Sequence, residues 1–152
     1  MAVIGKELTP LREEVAVRLL AEAEQAAERA YAPYSGLAVG AALLAEDGRV
    51  FSACNVENAS YGLTICAERA AVFKAVSEGC RSFRAVAVTL RGLRPVPPCG
   101  ACCQVLAEFN PRLLVILPAS GGSPFFYTLD QLLCLPFLPG YLGESELGEG
   151  RR

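Results

Sequence analysis

The sequence contains no histidine. That absence excludes Ser-His-Asp and Cys-His catalysis and every zinc site that needs an imidazole ligand. A charge excess is missing too: 14 basic against 16 acidic residues leave a net charge of -2. No overall positive field would therefore hold a polynucleotide by its phosphates, and a small molecule is the expected substrate, with no nucleic-acid partner. Nor is there an apolar run close to the ~20 residues that span a bilayer. The opening MAVIGKELTP has neither the basic start nor the apolar core of a secretion signal. A soluble, cytoplasmic protein with no membrane partner is the expectation.

What is present is apolar and cysteine-rich. Of 152 residues, 53% are hydrophobic and 20% charged, a composition on the apolar side of globular proteins, and the excess is expected to enter a subunit interface. The length suits one domain, expected over residues 1–142, with the Gly/Glu-rich 143–152 as a mobile tail. Seven cysteines lie between Cys54 and Cys134. In a reducing compartment such residues are core fillers, metal ligands or catalytic thiols more often than disulfide partners.

Thr9-Pro10 opens a first helix by its N-terminal chemistry, and Pro33 sets a limit to it. Short β runs at 38–44 and 49–55 flank Glu46-Asp47-Gly48, a hairpin signal. A helix is expected over 66–77, a buried strand over 83–90, a helix over 99–109, a strand over 113–117, a short edge strand over 125–128 and a helical turn over 129–133. Strands interleaved with helices after a hairpin imply a three-layer α/β/α domain with a mixed central sheet. Ligands in such sheets favour strand-to-helix junctions, where both cysteine-bearing segments fall.

Cys99-Gly-Ala-Cys102 opens a helix after two prolines, so its thiols share one face. Taken alone the pair suits a metal ion, a thiol–disulfide enzyme whose thiol is acidified by the helix dipole, or two core cysteines. Cys66-Ala-Glu68 adds a third thiol at another helix start and a carboxylate beyond it. Three protein ligands leave the fourth position of zinc open, as catalysis needs, whereas Cys103 or Cys54 as a fourth sulfur would make the site structural.

Cys-x-Glu followed at a distance by Pro-Cys-x-x-Cys is the zinc-deaminase signature in its all-cysteine form. Together with APYSGLAVGAALL (32–44), CNVENASYG (54–62), CAER (66–69) and PCGACCQ (98–104) it resembles the cytidine deaminase family of the short, homotetrameric class. The resemblance implies a cytidine deaminase-like fold and hydrolysis of free cytidine and deoxycytidine to uridine, deoxyuridine and ammonia, a step of pyrimidine salvage. It further implies one Zn²⁺ per subunit on Cys66, Cys99 and Cys102, with Glu68 moving protons. Asn55 and Glu57 match the family's sugar-binding pair, and Ala67 matches the backbone position at the pyrimidine edge. Arg69 matches an arginine that offsets the thiolate charge, and Phe137 a C-terminal phenylalanine that crosses to a neighbour's site in a homotetramer with shared sites. Loop composition alone reads Asn55 as a turn former and Glu57 as a solvated charge.

Two positions depart from the family pattern. Leu37 stands where the resemblance expects an aromatic wall, and Cys103 where it expects an arginine.

Overall fold

Alternate residues of three strands face opposite ways, and both faces are covered. Ala41, Leu43 and Ala45 of β1 (Val39–Ala45), Val86 and Val88 of β3 (Phe83–Leu90), and Val115 and Leu117 of β4 (Leu114–Leu117) enter one apolar cluster. Their neighbours Ala42, Leu44, Ala85, Ala87, Leu114 and Ile116 pack into a second cluster on the other side. Runs without polar alternation mark strands buried on two faces, and these three occupy the centre of the sheet. The computed structural model describes residues 11–142.

The five strands run in the order β2-β1-β3-β4-β5, where β2 is Val50–Cys54 and β5 is Phe125–Thr128. β1 pairs antiparallel with β2 and β3, β3 pairs parallel with β4, and β5 closes the edge antiparallel to β4. Helix α1 (Glu13–Ala27) covers one face through Ala16, Leu19, Leu20 and Ala23. It lies so close to β1 that a Cβ on Gly40 would collide with the Ala23 carbonyl oxygen. α2 (Ala67–Ser77) and α3 (Gly100–Ala107) cover the opposite face, and the short α4 (Leu129–Leu132) packs there through Leu129. The arrangement is the three-layer α/β/α domain with a mixed sheet that the pattern implies.

The expected hairpin turns through Asp47-Gly48, with Gly48 at φ 88. Its N–H donates to the Ala45 carbonyl at 3.1 Å, a left-handed position that suits glycine. The first helix differs from expectation. Its proposed start at Thr9-Pro10 lies outside the described residues, as does the expected tail 143–152, and it ends at Ala27 rather than just before Pro33. Tyr31 is the cause: its N–H donates to the Asn55 carbonyl and its own carbonyl accepts from the Glu57 N–H at 2.8 Å. That isolated bridge to Val56 demands extended backbone and unwinds the last expected turn.

Candidate active site

Cys66 and Cys99 are the N-caps of α2 and α3, both in extended conformation and neither bonding its side chain back to the helix. Serine or aspartate at a cap would direct its oxygen to a backbone N–H, whereas these thiols remain available to a ligand. Because α2 and α3 lie side by side on one face, their starts converge. Cys66 Sγ is 4.0 Å from Cys99 Sγ, Cys99 Sγ is 3.5 Å from Cys102 Sγ, and all three sulfurs lie within 4.8 Å of one another. Tetrahedral zinc with bonds of about 2.3 Å sets its sulfurs ~3.8 Å apart, so the trio fits the ion with small adjustment, and soft thiolates suit it chemically.

Neither candidate fourth sulfur joins the group. The Cys103 thiol is buried in the core and donates to the Pro98 carbonyl at 3.7 Å, and Cys54 lies at the end of β2 outside the cluster.

Glu68 is only 4% exposed. Burial pushes its carboxyl above the usual range, against the opposing pull of its own backbone N–H, the Cys102 thiol and the Arg69 charge. A carboxyl poised this way gains and releases protons nearer neutrality. Burial also pushes the Cys102 thiol strongly up, helped by the negative charges of Glu68 and Cys66. At Cys99 burial acts upward as well, but the neighbouring Cys102 and Cys66 groups and the nearby Ala101 N–H outweigh it and hold the thiol below its ordinary value. Arg69 Nη2 donates to Cys66 Sγ at 3.5 Å, and that contact raises the guanidinium pKa further. The arginine is therefore a thiolate partner and not a surface charge, with its Nε buried and without a hydrogen bond. Ala67 is the first residue of α2, so its N–H is one of the four at a helix start with no carbonyl inside the helix.

Asn55 and Glu57 reach this place through backbone pairing. Val56 between them exchanges hydrogen bonds with Ile65 at 2.9 and 3.0 Å, an antiparallel bridge one residue before Cys66. Asn55 and Glu57 therefore flank the residue whose bridge partner immediately precedes Cys66.

Both polar residues are buried, at 8% and 9% exposure, so the turn-former and solvated-charge readings fail. Asn55 Nδ2 donates to the Leu37 carbonyl at 2.8 Å and its Oδ1 accepts from the Val39 N–H at 2.8 Å. Glu57 accepts from the N–H groups of Tyr34 and Ser35 at 2.8 and 3.2 Å and from the Ser35 hydroxyl in a short bond. The Ser35 hydroxyl is the foremost reason that the Glu57 carboxyl stays below its ordinary value, with the two N–H groups adding to it. A carboxylate offers about four acceptor positions and an amide two donors and two acceptors, so each residue keeps capacity for a hydroxyl. Ser35 is a partner of Glu57 that the sequence did not single out, although it stands within the APYSG motif.

Phe137 is held elsewhere. It is 59% exposed, its ring stacks on Tyr141 at 5.8 Å, and both of its backbone polar groups bond to the Gln104 side chain. An ordinary core phenylalanine is excluded by that exposure. Gln104 also went without a role in the sequence, where only its place at the end of PCGACCQ could have signalled one. Leu37 is exposed at the loop tip, fixed through its backbone and not its side chain.

Comparison with known proteins agrees with this geometry. A family model described as the cytidine and deoxycytidylate deaminase zinc-binding region matches residues 13–117. A cytidine deaminase of Sporosarcina psychrophila is 46% identical over 135 residues, covering 86% of this chain and 93% of the relative. One from Halalkalibacterium halodurans is 62% identical over 116 residues, 76% of this chain and 88% of that protein. Among solved structures, cytidine deaminase from Burkholderia pseudomallei superimposes with a TM-score of 0.74 at 48% identity, over 80% of this chain and 98% of that one.

Proposed function

The chain belongs to the cytidine and deoxycytidylate deaminase family, and from that membership we propose that residues 1–142 form one catalytic domain that deaminates free cytidine and deoxycytidine. It is a hydrolytic deaminase and a zinc protein. The observation that carries the reading is the convergence of three thiols within 4.8 Å beside a buried carboxyl.

Cys66, Cys99 and Cys102 hold the zinc, which supplies the Lewis acidity that makes water nucleophilic at neutral pH. Glu68 does the proton work. It takes a proton from the attacking water as oxygen bonds to C4 of cytosine, and delivers it to N3. It then takes the proton of the new C4 hydroxyl and passes it to the amino group. The C4–N bond breaks, ammonia leaves, and the C4 carbonyl of uridine or deoxyuridine remains. Asn55 and Glu57 hold the sugar hydroxyls with their remaining hydrogen-bonding capacity, and the Ala67 backbone meets the pyrimidine edge. Arg69 offsets the surplus negative charge of three thiolates around a divalent ion.

The protein works in the cytoplasm in pyrimidine salvage, as a homotetramer whose sites are shared, with Phe137 of one subunit stacking on the base in another. Exposure of Phe137, Leu135 and Tyr141 supports an apolar contact there. Among the described residues no helix is long and apolar enough to cross a membrane.

Zinc analysis of the purified protein combined with ammonia release from cytidine tests the whole reading. One zinc per subunit with ammonia release is expected. Zinc without ammonia would leave a structural module, disulfide exchange without zinc would mean a thiol oxidoreductase, and release from polynucleotide alone would mean an editing enzyme.

A further inference from the structure

Gln104 directs both ends of its amide to one residue. Nε2 donates to the Phe137 carbonyl at 2.7 Å and Oε1 accepts from the Phe137 N–H at 2.9 Å, an orientation that the two partners fix. Gln104 follows Cys102 by two residues on α3. At about 100° per residue the two side chains leave the helix ~160° apart, so the clamp faces away from the thiol that precedes it. Phe137 is therefore tied to the helix that carries two thiols, yet on the side turned from Cys102. Leu138 packs against the core, while the Phe137 ring stays exposed and stacked on Tyr141. The clamp fixes the backbone that carries the ring, while the ring itself gains little burial within this chain.

We propose that Gln104 is a positioning residue for substrate binding, holding Phe137 so that its ring is presented to the base in another subunit's site. The proposal rests on the role of Phe137 given above. If the clamp is removed, the segment samples other conformations, and apparent affinity falls by the fraction of time the ring is in place. Two ordinary hydrogen bonds set that loss at about five- to 150-fold. Gln104 touches no reacting atom, so turnover at saturation should change less than about twofold.

The test measures kcat and KM for cytidine on zinc-loaded Gln104→Ala, Gln104→Glu, Phe137→Ala and the double variant Gln104→Ala/Phe137→Ala, with amide hydrogen exchange at Phe137. Glutamate keeps the size and the acceptor but puts a carboxylate oxygen against the Phe137 carbonyl, so it separates loss of the clamp from loss of bulk. Expected are a raised KM with kcat and zinc retained in both Gln104 variants, faster exchange at Phe137, and a double variant no worse than Phe137→Ala. Additive losses in the double variant, or an unchanged KM in Gln104→Ala beside a raised one in Phe137→Ala, would overturn the role of Gln104 alone. Zinc loss in the Gln104 variants would overturn it as well, by making Gln104 a support of the metal helix. An unchanged KM in Phe137→Ala would remove the role of Phe137 and that of Gln104 with it.

Discussion

The thiol end of the site and its proposed sugar end are built by opposite means. At the thiol end, two helix starts bring three sulfurs and a carboxyl into a place with few backbone hydrogen bonds of its own, and the groups perturb one another by charge and burial. At the proposed sugar end, Asn55 and Glu57 are held by residues 34–39 through four hydrogen bonds to backbone groups and one from the Ser35 hydroxyl. The first end concentrates reactivity because its groups are left partly unsatisfied for an incoming ion and substrate. The second concentrates precision, because each polar atom already has a direction fixed by its partner. The comparison predicts that changes at the first end strike turnover and changes at the second strike binding.

Cys102→Ala is the most damaging substitution expected, losing zinc and measurable ammonia release together, while single replacement of Cys54, Cys80, Cys103 or Cys134 leaves zinc in place. Metal analysis of the purified variants checks this, and full zinc in Cys102→Ala would break the assignment of the thiol end. Glu68→Gln comes next. An amide of the same shape cannot relay protons, so kcat should fall by about 10²- to 10⁴-fold with zinc and fold unchanged.

Glu57→Gln sharpens the other side of the comparison. Loss of a charged hydrogen-bond acceptor should raise KM for cytidine by about ten- to hundredfold, with a much smaller change in kcat under saturating substrate. A fall confined to kcat would erase the distinction between the two ends. Arg69→Ala is expected to be milder, lowering kcat by about tenfold with zinc retained, in line with the loss of one charge interaction at a partly screened site.

The smallest effect concerns pH. Because the folded Glu57 carboxyl is held below its ordinary 4.5, its ionised form contributes stability above that value. The contribution is lost as pH falls through the folded pKa. Ser35→Ala, which removes the leading cause, should move the Glu57 titration upward in an NMR pH series and reduce the stability lost on acidification. A titration unchanged by that substitution would mean that the Tyr34 and Ser35 N–H groups suffice.

The sequence by itself determined the layers and the thiol end. Short apolar runs such as VGAALLA and FRAVAVTL, bounded by turn signals, read as buried strands, and Cys66, Cys99 and Cys102 follow helix-start chemistry that is local in the chain. The tertiary structure alone decided the rest. Asn55 and Glu57 read locally as loop residues, because the groups that bury and orient them come from residues 34–39, brought there by the Tyr31–Val56 and Val56–Ile65 bridges. The same bridge shortened α1 to Ala27 against its helical composition. Gln104 gave no sign of its partner, since Phe137 lies 33 residues away. Periodicity and capping act over a few residues and are legible in order along the chain, whereas a hydrogen bond between distant segments exists only once the sheet and its helices have set them side by side.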